Sequence, residues 1–293
     1  MKRVQATMYR CAVLWAVTLM VVVTGCNAAS QTRDEESMIQ QMVVARQNGT
    51  QTSCVTGTYG PLSLERAYRI QQRLARELTP ALGPVVGYKV AYASKAAQEQ
   101  FGVNEPARGP FYLAQRVPSG SVLPVSMFNE IMLETEVAFS IGKRIDKPIP
   151  DVASLKGYVK YVFPAFDASD FPYLPGEVKP TPSDMVAIGT GAHVYVLGPA
   201  MDPARVNVDV LNLALIRNGQ TIREKPSIEV LGSPWNSLLW CVNHVVQYGD
   251  TVEPGMVIST GTAAPAYRVR GNEIKGTYMG DCGALGKVTL TIE

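Results

Sequence analysis

The sequence has few of the residues that form thiolate or imidazole metal sites. Only five cysteines and two histidines occur among its 293 residues, and no cysteine spacing resembles a metal knuckle. Cys11 and Cys26 belong to the N-terminal segment described below, which leaves Cys54, Cys241 and Cys282. Because three is an odd number, at least one of these thiols is free. A single disulfide among them, in an oxidising compartment, stays open as an alternative.

Positive charge is also scarce once the N-terminus is set aside. The formal net charge is +2, but the first 25 residues contain Lys2, Arg3 and Arg10 and no acidic residue. Their removal changes the formal net charge from +2 to −1. The sequence has no basic stripe that would bind nucleic acid, and we expect no such partner. Nothing in the composition is typical of disordered, collagen-like or coiled-coil chains.

The N-terminal segment has the pattern of a bacterial lipoprotein signal peptide. Three basic residues flank the start of an uncharged run, Cys11 to Gly25, which is too short to span a bilayer comfortably. The run ends in "VVTGC", which resembles a lipobox. The resemblance implies cleavage after residue 25, lipidation of Cys26, and a lipid anchor in a bacterial membrane facing the periplasm or the cell exterior. Asn27 favours the outer membrane, and an ordinary secretory signal is the alternative.

The next segments are predicted to be a polar tether over residues 26–57 and a helical portion over 58–86. Apolar residues recur at helical spacing from Ser63 to Leu78. Ser63 is a suitable N-cap, and Pro80 and Gly83 are predicted to end the helix.

The remainder, residues 87–293, is predicted to be rich in β-strands, consistent with 25 glycines and 20 prolines in the chain. One further helix is expected after Ser233, with Pro234 at its first position and Gly249 at its end. Asn218-Gly219 indicates a hairpin, and "VRGNEIK" is a second hairpin candidate. The segment 170–184 has four prolines and no periodicity, so it is either a lid or a surface loop. The predicted strands are "VVGYKVAYA", "MLETEVAFSIG", "YVKYVFPAFDA", "AHVYVLG", "VDVLNLALIRNGQTI", "GMVISTG" and "KVTLTIE".

Three acidic residues indicate a metal site. Glu134 and Glu136 lie two apart in a predicted strand, so their side chains point to the same face. Two neighbouring carboxylates repel each other unless a cation lies between them. Asp167, at the end of another apolar strand, would supply a third oxygen ligand. Carboxylates without histidine or cysteine suit hard ions such as Mg²⁺, Mn²⁺ or Ca²⁺.

Five segments, in the same order, resemble the 2-keto-4-pentenoate hydratase and 2-oxo-hepta-3-ene-1,7-dioate hydratase group of the fumarylacetoacetate hydrolase superfamily. With the helix "LSLERAYRIQQRLARE", the resemblance covers residues 62–293. It implies an α+β fold: a mixed β-roll with flanking helices and a small helical N-terminal portion, with residues 87–293 as the catalytic domain. Members often form homo-oligomers. The five segments are "GYKVAYASK", "PVSMFNEIMLETEVAFSIG", "FPAFD", "LGSPWNSLLWCVNHVVQYGDTVEPGMVISTG" and "GKVTLTIE".

The resemblance also implies the roles of individual residues. Lys89, in "GYK", would hold a substrate carboxylate, or relay a proton if burial lowers its pKa. We expect neither His193 nor His244 to be catalytic. The chain departs from the hydratases at Asp167, where they usually have glutamate and the hydrolase branch often has aspartate, and at Phe171-Pro172, where they have Ser-Arg. The implied site residues are Glu134, Glu136 and Asp167 for Mg²⁺ or Mn²⁺, Lys89 and Glu136 for catalysis, and Lys89, Ser94 and Thr260 for substrate binding.

The leading functional hypothesis is a metal-dependent hydratase or decarboxylase acting on a small 2-oxo or 2-hydroxydienoic acid through a metal-stabilised enolate. The alternatives are an acylpyruvate-type C–C bond hydrolase and a non-catalytic lipoprotein that binds small carboxylates. The metal hypothesis requires the three acidic residues to converge within about 5 Å, since they must share one ion. A position of Lys89 outside that cluster would favour the binding protein.

Overall fold

The computed structural model describes residues 35–176 and 178–293, which form seven α-helices and 13 β-strands. The predicted signal peptide and its lipidation site, Cys26, lie outside the described residues. The helices are α1 (35–48), α2 (Val55–Tyr59), α3 (Leu64–Leu82), α4 (Lys95–Phe101), α5 (Val152–Lys156), α6 (Pro182–Ala187) and α7 (Pro234–Gln247). The strands are β1 (Val85–Ala91), β2 (Ala107–Tyr112), β3 (Arg116–Pro118), β4 (Ser121–Leu123), β5 (Glu130–Ile141), β6 (Val159–Asp170), β7 (Val194–Leu197), β8 (Asn212–Arg217), β9 (Gln220–Pro226), β10 (Val257–Thr262), β11 (Tyr267–Arg270), β12 (Gly276–Asp281) and β13 (Lys287–Ile292).

The strands form two mixed sheets. The larger has the order β2-β1-β10-β5-β6-β7-β3, with β11 also paired to β5. The smaller has the order β4-β13-β12-β8-β9. Most neighbours are antiparallel, whereas β1 with β10, β3 with β7 and β4 with β13 are parallel. The long pair β5 and β6 forms the middle of the larger sheet, and it positions the acidic residues.

The two sheets pack face to face through one apolar cluster. Phe166 and Val196 of the larger sheet lie in the same buried cluster as Tyr278, Val288 and Leu290 of the smaller one. Strand alternation explains this, because every second residue of each strand points into the cluster. Further along the same face, the larger sheet packs against helix α7, whose Leu238 and Val242 are fully buried in one cluster with Phe139. The predicted α+β fold with flanking helices is confirmed.

Local sequence signals set the ends of the two long helices. The Ser63 side chain accepts a hydrogen bond from the Arg66 backbone, so the predicted N-cap of α3 is confirmed. Of the two predicted stops, Gly83 is confirmed as the C-cap of α3, with φ +77°, whereas Pro80 lies inside the helix, which continues to Leu82. In α7, Ser233 caps the first turn as predicted.

The tether prediction is wrong for the described part of residues 26–57. Residues 35–48 form helix α1, and Met38, Ile39 and Met42 are buried in one apolar cluster with Tyr68 and Ile70 of α3. The polar composition of this segment predicted a tether, but the segment also contains apolar residues at helical spacing. These residues bury apolar surface against α3, which stabilises the helix.

Two loop predictions have different outcomes. The Asn218-Gly219 hairpin joins β8 to β9 as predicted, but "VRGNEIK" is not a hairpin, because β11 pairs with β5 whereas β12 pairs with β8 and β13. The proline-rich segment is anchored at its start, where Tyr173 is fully buried and bridges to Thr52. In residues 35–176 and 178–293, every helix is too short or too polar to cross a membrane.

Candidate metal centre

The pairing of β5 with β6 brings two of the predicted ligands side by side. Glu134 lies directly opposite Asp167 in the antiparallel register, and opposite residues of such a pair share a face of the sheet. Glu136 lies two residues further along β5, on the same face. One carboxylate oxygen of each of Glu134, Glu136 and Asp167 lies within 4.8 Å of the others. The convergence that the metal hypothesis requires is therefore present.

The three carboxylates lie in the interior of the protein. Glu136 and Asp167 are fully buried, and Glu134 is partly buried. Carboxylates that are close together and out of water cannot all be ionised at moderate cost unless positive charge balances them. The cluster therefore favours the binding of a cation.

Lys89 supplies one positive charge to this cluster. Its ammonium group forms an ion pair with Asp167 and donates a hydrogen bond to Ser169, and its side chain is almost completely buried. The Ser169 hydroxyl also lies 3.0 Å from Asp167 Oδ1. Lys89 therefore lies inside the cluster. The catalytic hypothesis requires this position, whereas the non-catalytic alternative does not.

A β-bulge in β10 fixes the orientation of Glu136. Between Ser259 and Thr262 the register with β5 shifts by one residue, and Gly261 at this point has φ +86°. A Cβ atom at Gly261 would come within 2.4 Å of Ala93 Cβ, so the close approach also favours glycine. The bulge lets the Gly261 N–H donate to Glu136 Oε2 at 2.7 Å, and the Ser259 hydroxyl donates to the same oxygen.

The protonation of the cluster follows from burial and mutual repulsion. Burial raises the pKa of Glu134 to about 8, although the Lys89 charge opposes the shift. Burial, together with Asp167 and Glu134, holds the pKa of Glu136 well above its usual value. Burial by itself lowers the pKa of Lys89, but the three carboxylates outweigh it and leave that pKa above its usual value. The suggestion that burial would lower the pKa of Lys89 is therefore wrong for this arrangement.

The residues present fit a divalent cation. Glu136 Oε1 is buried and has no hydrogen-bond partner among the described residues, while its other oxygen accepts hydrogen bonds from Ser259 and Gly261. Three carboxylates and one lysine leave two negative charges when all are ionised, which is the charge that a divalent ion would balance. An all-oxygen donor set is the type that Mg²⁺, Mn²⁺ and Ca²⁺ prefer.

Comparison with known families agrees with this fold and site. The fumarylacetoacetate (FAA) hydrolase C-terminal family matches residues 85–287, which include all three carboxylates and Lys89. The chain belongs to this family.

Several proteins that are similar to this chain in sequence or in structure are named as enzymes. The 2-keto-4-pentenoate hydratase of Paraburkholderia xenovorans (strain LB400) is 24% identical over 254 residues, which cover 86% of this chain and 94% of the relative. The 4-oxalocrotonate decarboxylase from Pseudomonas putida G7, complexed with magnesium and adipate, superposes with a TM-score of 0.80 at 22% identity and covers 90% of this chain and 98% of its own. The fumarylpyruvate hydrolase from Pseudomonas aeruginosa, in complex with Mn²⁺ and pyruvate, has a TM-score of 0.53 at 17% identity, with coverage of 71% and 90%.

Two residues that are predicted to bind substrate form local hydrogen bonds in this member of the FAA hydrolase family. The Thr260 hydroxyl donates to the Val137 carbonyl at 2.8 Å, so its neighbours Ser259 and Gly261 reach the cluster instead. The Ser94 hydroxyl caps α4 by accepting from the Ala97 N–H at 3.2 Å. The substrate-binding roles of Thr260 and Ser94 both stay predictions.

The two histidines lie outside the carboxylate cluster. The His193 ring bonds to the Met127 carbonyl at 2.8 Å, and burial together with Arg46 lowers its pKa to about 4. His244 accepts a hydrogen bond from Arg108 Nε at 3.1 Å, and burial together with Arg108 lowers its pKa to about 3. Both are packed, neutral side chains near pH 7.

Two polar residues of the site escaped the sequence reasoning. Ser169 contacts Lys89 and Asp167, and Ser259 holds Glu136. The signals were present: Asp167 and Ser169 are two apart in a strand and so share a face, and Gly261 within a strand pattern indicates a bulge.

Proposed function

We propose that the chain is a metal-dependent lyase, a hydratase or a decarboxylase, that acts on a small 2-oxo or 2-hydroxydienoic acid. The observation that carries the proposal is the buried cluster of Glu134, Glu136 and Asp167 with Lys89 in contact with it. The named hydratase and decarboxylase relatives support the same reaction class.

Each side chain of the cluster has a proposed task. Glu134, Glu136 and Asp167 would hold a divalent cation, Mg²⁺ or Mn²⁺, the metals named in two of the solved structures. Such an ion supplies a Lewis acid that stabilises negative charge on the ketone oxygen of a 2-oxo acid. Lys89 remains protonated beside the carboxylates and would bind the carboxylate of the substrate.

Ser259 and Gly261 act on Glu136 rather than on the substrate. Their hydrogen bonds fix one oxygen and direct the unpaired Oε1 toward the cluster. We propose the same positioning role for Ser169, whose hydroxyl joins Lys89 to Asp167. Positioning of this kind keeps the reacting groups in place without rearrangement during the reaction.

The test is a direct assay of the purified protein with Mg²⁺ or Mn²⁺ and a panel of 2-hydroxydienoates and vinylogous 2-oxo acids. Addition of water and loss of CO₂ distinguish the hydratase from the decarboxylase. Glu136→Gln retains the shape of the side chain and removes its charge, so turnover should fall by at least about a hundredfold, as is typical for loss of an essential charged group. Glu99→Gln, at an exposed position on α4, is the matched control. Equal turnover in Glu136→Gln and the wild type would contradict the proposal.

One observation favours a second activity, the cleavage of a C–C bond in acylpyruvates. The third carboxylate is Asp167 rather than glutamate, and the hydrolase branch, which the sequence resembles at this position, often has aspartate there. Acylpyruvates in the same panel test this alternative. Release of pyruvate from an acylpyruvate without turnover of any hydroxydienoate would favour the hydrolase.

We also propose that the chain is lipid-anchored through Cys26 and faces the periplasm or the cell exterior. The support is the signal pattern of residues 1–26, with "VVTGC" at its end. Full-length protein expressed in a Gram-negative host should sediment with membranes and incorporate labelled palmitate. Cys26→Ala should lose the label, whereas Cys54→Ala should retain it. A soluble, unlabelled wild-type protein would contradict the anchor.

A further inference from the structure

A cavity lies on the face of the larger sheet that is opposite to the three carboxylates. It has a volume of about 300 Å³ and lies between α3, the strands β1 and β2, and residues 250–256. Tyr88 and Lys89 are neighbours in β1, so their side chains point to opposite faces. Tyr88 lines this cavity, whereas Lys89 contacts Asp167. The cavity is therefore separate from the candidate metal centre.

A buried arginine with an incomplete set of partners lines the cavity. Arg108 is 1% exposed. Its Nε donates to His244 Nδ1 at 3.1 Å, and its Nη1 donates to Gln71 Oε1 at 3.3 Å. Its Nη2 has no hydrogen-bond partner in the part of the chain that the structure describes. A buried guanidinium nitrogen without a partner is costly, so a further acceptor at this position would be stabilising.

The aromatic surroundings keep the Arg108 charge in place. The guanidinium carbon lies 5.3 Å from the ring centre of Tyr68, 5.0 Å from Tyr88 and 5.7 Å from Tyr248. These distances are those of cation–π contacts, which hold the group without neutralising its charge. Because the charge remains, the Nη2 edge attracts an anion.

Asp250, the one acidic residue that lines the cavity within residues 35–176 and 178–293, does not satisfy Arg108. Asp250 Oδ2 lies 3.8 Å from Arg108 Nη2, which is too long for a hydrogen bond. The same oxygen accepts from Gln72 Nε2 at 2.7 Å. Arg76 also lines the cavity. Two arginines and one aspartate thus leave one positive charge without a counterpart among the lining residues.

The rest of the cavity wall combines an apolar part with neutral polar residues, which are Gln71, Gln72, Thr79 and Thr251. Val85, Pro110 and Met256 line it, together with Ala75 on the side of α3. A volume of about 300 Å³ is at the lower end of the range for small-molecule pockets, which combine an apolar wall with a few polar groups. The lining therefore suits a molecule with one negative group and a compact apolar body.

We propose that this cavity is a binding site for a small organic carboxylate. One carboxylate oxygen would accept a hydrogen bond from Arg108 Nη2, and the apolar body would contact Val85, Pro110 and Met256. Charge-assisted hydrogen bonds to a buried guanidinium are stronger than neutral ones, so the carboxylate is the group that determines binding. This site does not depend on the reaction proposed above, because none of its residues contacts the metal cluster.

The experiment uses ¹⁹F NMR with 4-fluorobenzoate as the probe and 4-fluorobenzamide as its neutral match. EDTA is present throughout, so that the probe cannot bind through a metal ion. We expect saturable binding of one 4-fluorobenzoate per chain and affinity for the amide lower by about tenfold or more, which is typical for loss of a charge-assisted hydrogen bond. Absence of saturable binding at about 10 mM probe, a concentration that fills even a weak site, or equal affinity for the two probes, would overturn the proposal.

Variants locate the probe without replacing Arg108, whose loss could unfold the protein. Ala75→Phe fills the cavity and should abolish binding. Asp250→Asn removes the competing charge but keeps an acceptor for Gln72, so affinity for the benzoate should rise by about fivefold and affinity for the amide should not change. Glu134→Gln removes one negative charge from the carboxylate cluster, so it would strengthen binding of a carboxylate there but should leave the affinity of the proposed cavity unchanged. A higher affinity in Glu134→Gln, together with undiminished binding in Ala75→Phe, would place the probe in the carboxylate cluster and overturn the proposal.

Discussion

Lys89 and Asp167 form a buried ion pair although their strands are not neighbours in the sheet. In the order β1-β10-β5-β6, two strands lie between them. In a flat sheet this separation would be roughly 14 Å at the usual strand spacing, more than a lysine side chain spans. The larger sheet must therefore curl so that its concave face brings the two side chains together. The candidate metal centre is a product of this curvature.

Removal of the lysine charge should destabilise the metal-free protein. In Lys89→Met, the three carboxylates have no cation, so we expect a loss of about 3–5 kcal/mol in the free energy of unfolding, as is typical for breaking a buried ion pair. Addition of Mg²⁺ should restore part of the loss. Chemical denaturation in EDTA and in Mg²⁺ measures both effects.

The matched control is Lys95→Met. Lys95 is a highly exposed lysine whose side chain lies 3.9 Å from Glu99. We expect this variant to differ from the wild type by less than about 0.5 kcal/mol. If the two lysine variants were equally stable in EDTA, the buried ion pair would not contribute as described.

Local patterns in the sequence predicted the elements but not their three-dimensional arrangement. Strand alternation placed Glu134 and Glu136 on one face, the end of a second apolar strand indicated Asp167, and the resemblance added Lys89. The curl of the sheet depends on contacts between distant strands, so the Lys89–Asp167 contact could not be predicted from spacing. The bulge at Gly261 shifts the register by one residue, so strand alternation alone does not predict that Ser259 and Gly261 both reach Glu136.

Helix α1 should contribute to stability, in contrast to a tether. Ile39 is fully buried against α3, so Ile39→Ala should lower the free energy of unfolding by about 2–5 kcal/mol. Val44 lies on the same helix and is 53% exposed, so Val44→Ala should change it by less than about 0.5 kcal/mol. Denaturant titrations of the two variants measure the difference. Equal effects would mean that residues 35–48 do not pack on the domain.

The hydrogen bond from Ser259 should matter for metal binding, whereas Thr260 should not. Ser259→Ala frees Glu136 Oε2 from one of its two donors, and we expect metal affinity to fall by about 10- to 100-fold, as for other groups that orient metal ligands. Thr260→Val removes the bond to the Val137 carbonyl and should cost about 1 kcal/mol of stability with metal affinity unchanged. Titration calorimetry with Mn²⁺ and thermal unfolding separate the two effects. Weaker metal binding in Thr260→Val but not in Ser259→Ala would contradict the positioning role of Ser259.

The metal-free protein should become less stable as the pH rises. Burial raises the pKa of Glu134 from 4.5 to about 8, so between these values the unfolded chain releases a proton that the folded chain keeps, and stability falls with increasing pH. Binding of Mg²⁺ requires the ionised carboxylates, so its stabilising effect should grow over the same range. Between about pH 7 and about pH 9, His193 and His244 are neutral in the folded state and largely neutral in the unfolded one, so they contribute little to the slope.

Thermal unfolding at several pH values from about 7 to about 9, in EDTA and in Mg²⁺, measures this dependence. We expect Tm in EDTA to fall with pH and the difference between the two conditions to widen. Glu134→Gln removes the titrating group, so its Tm in EDTA should depend less on pH than that of the wild type. Because Glu136 also has a raised pKa, part of the slope should remain in this variant. A wild-type Tm in EDTA that rises over this range would show that the cluster is already ionised and balanced without a metal ion.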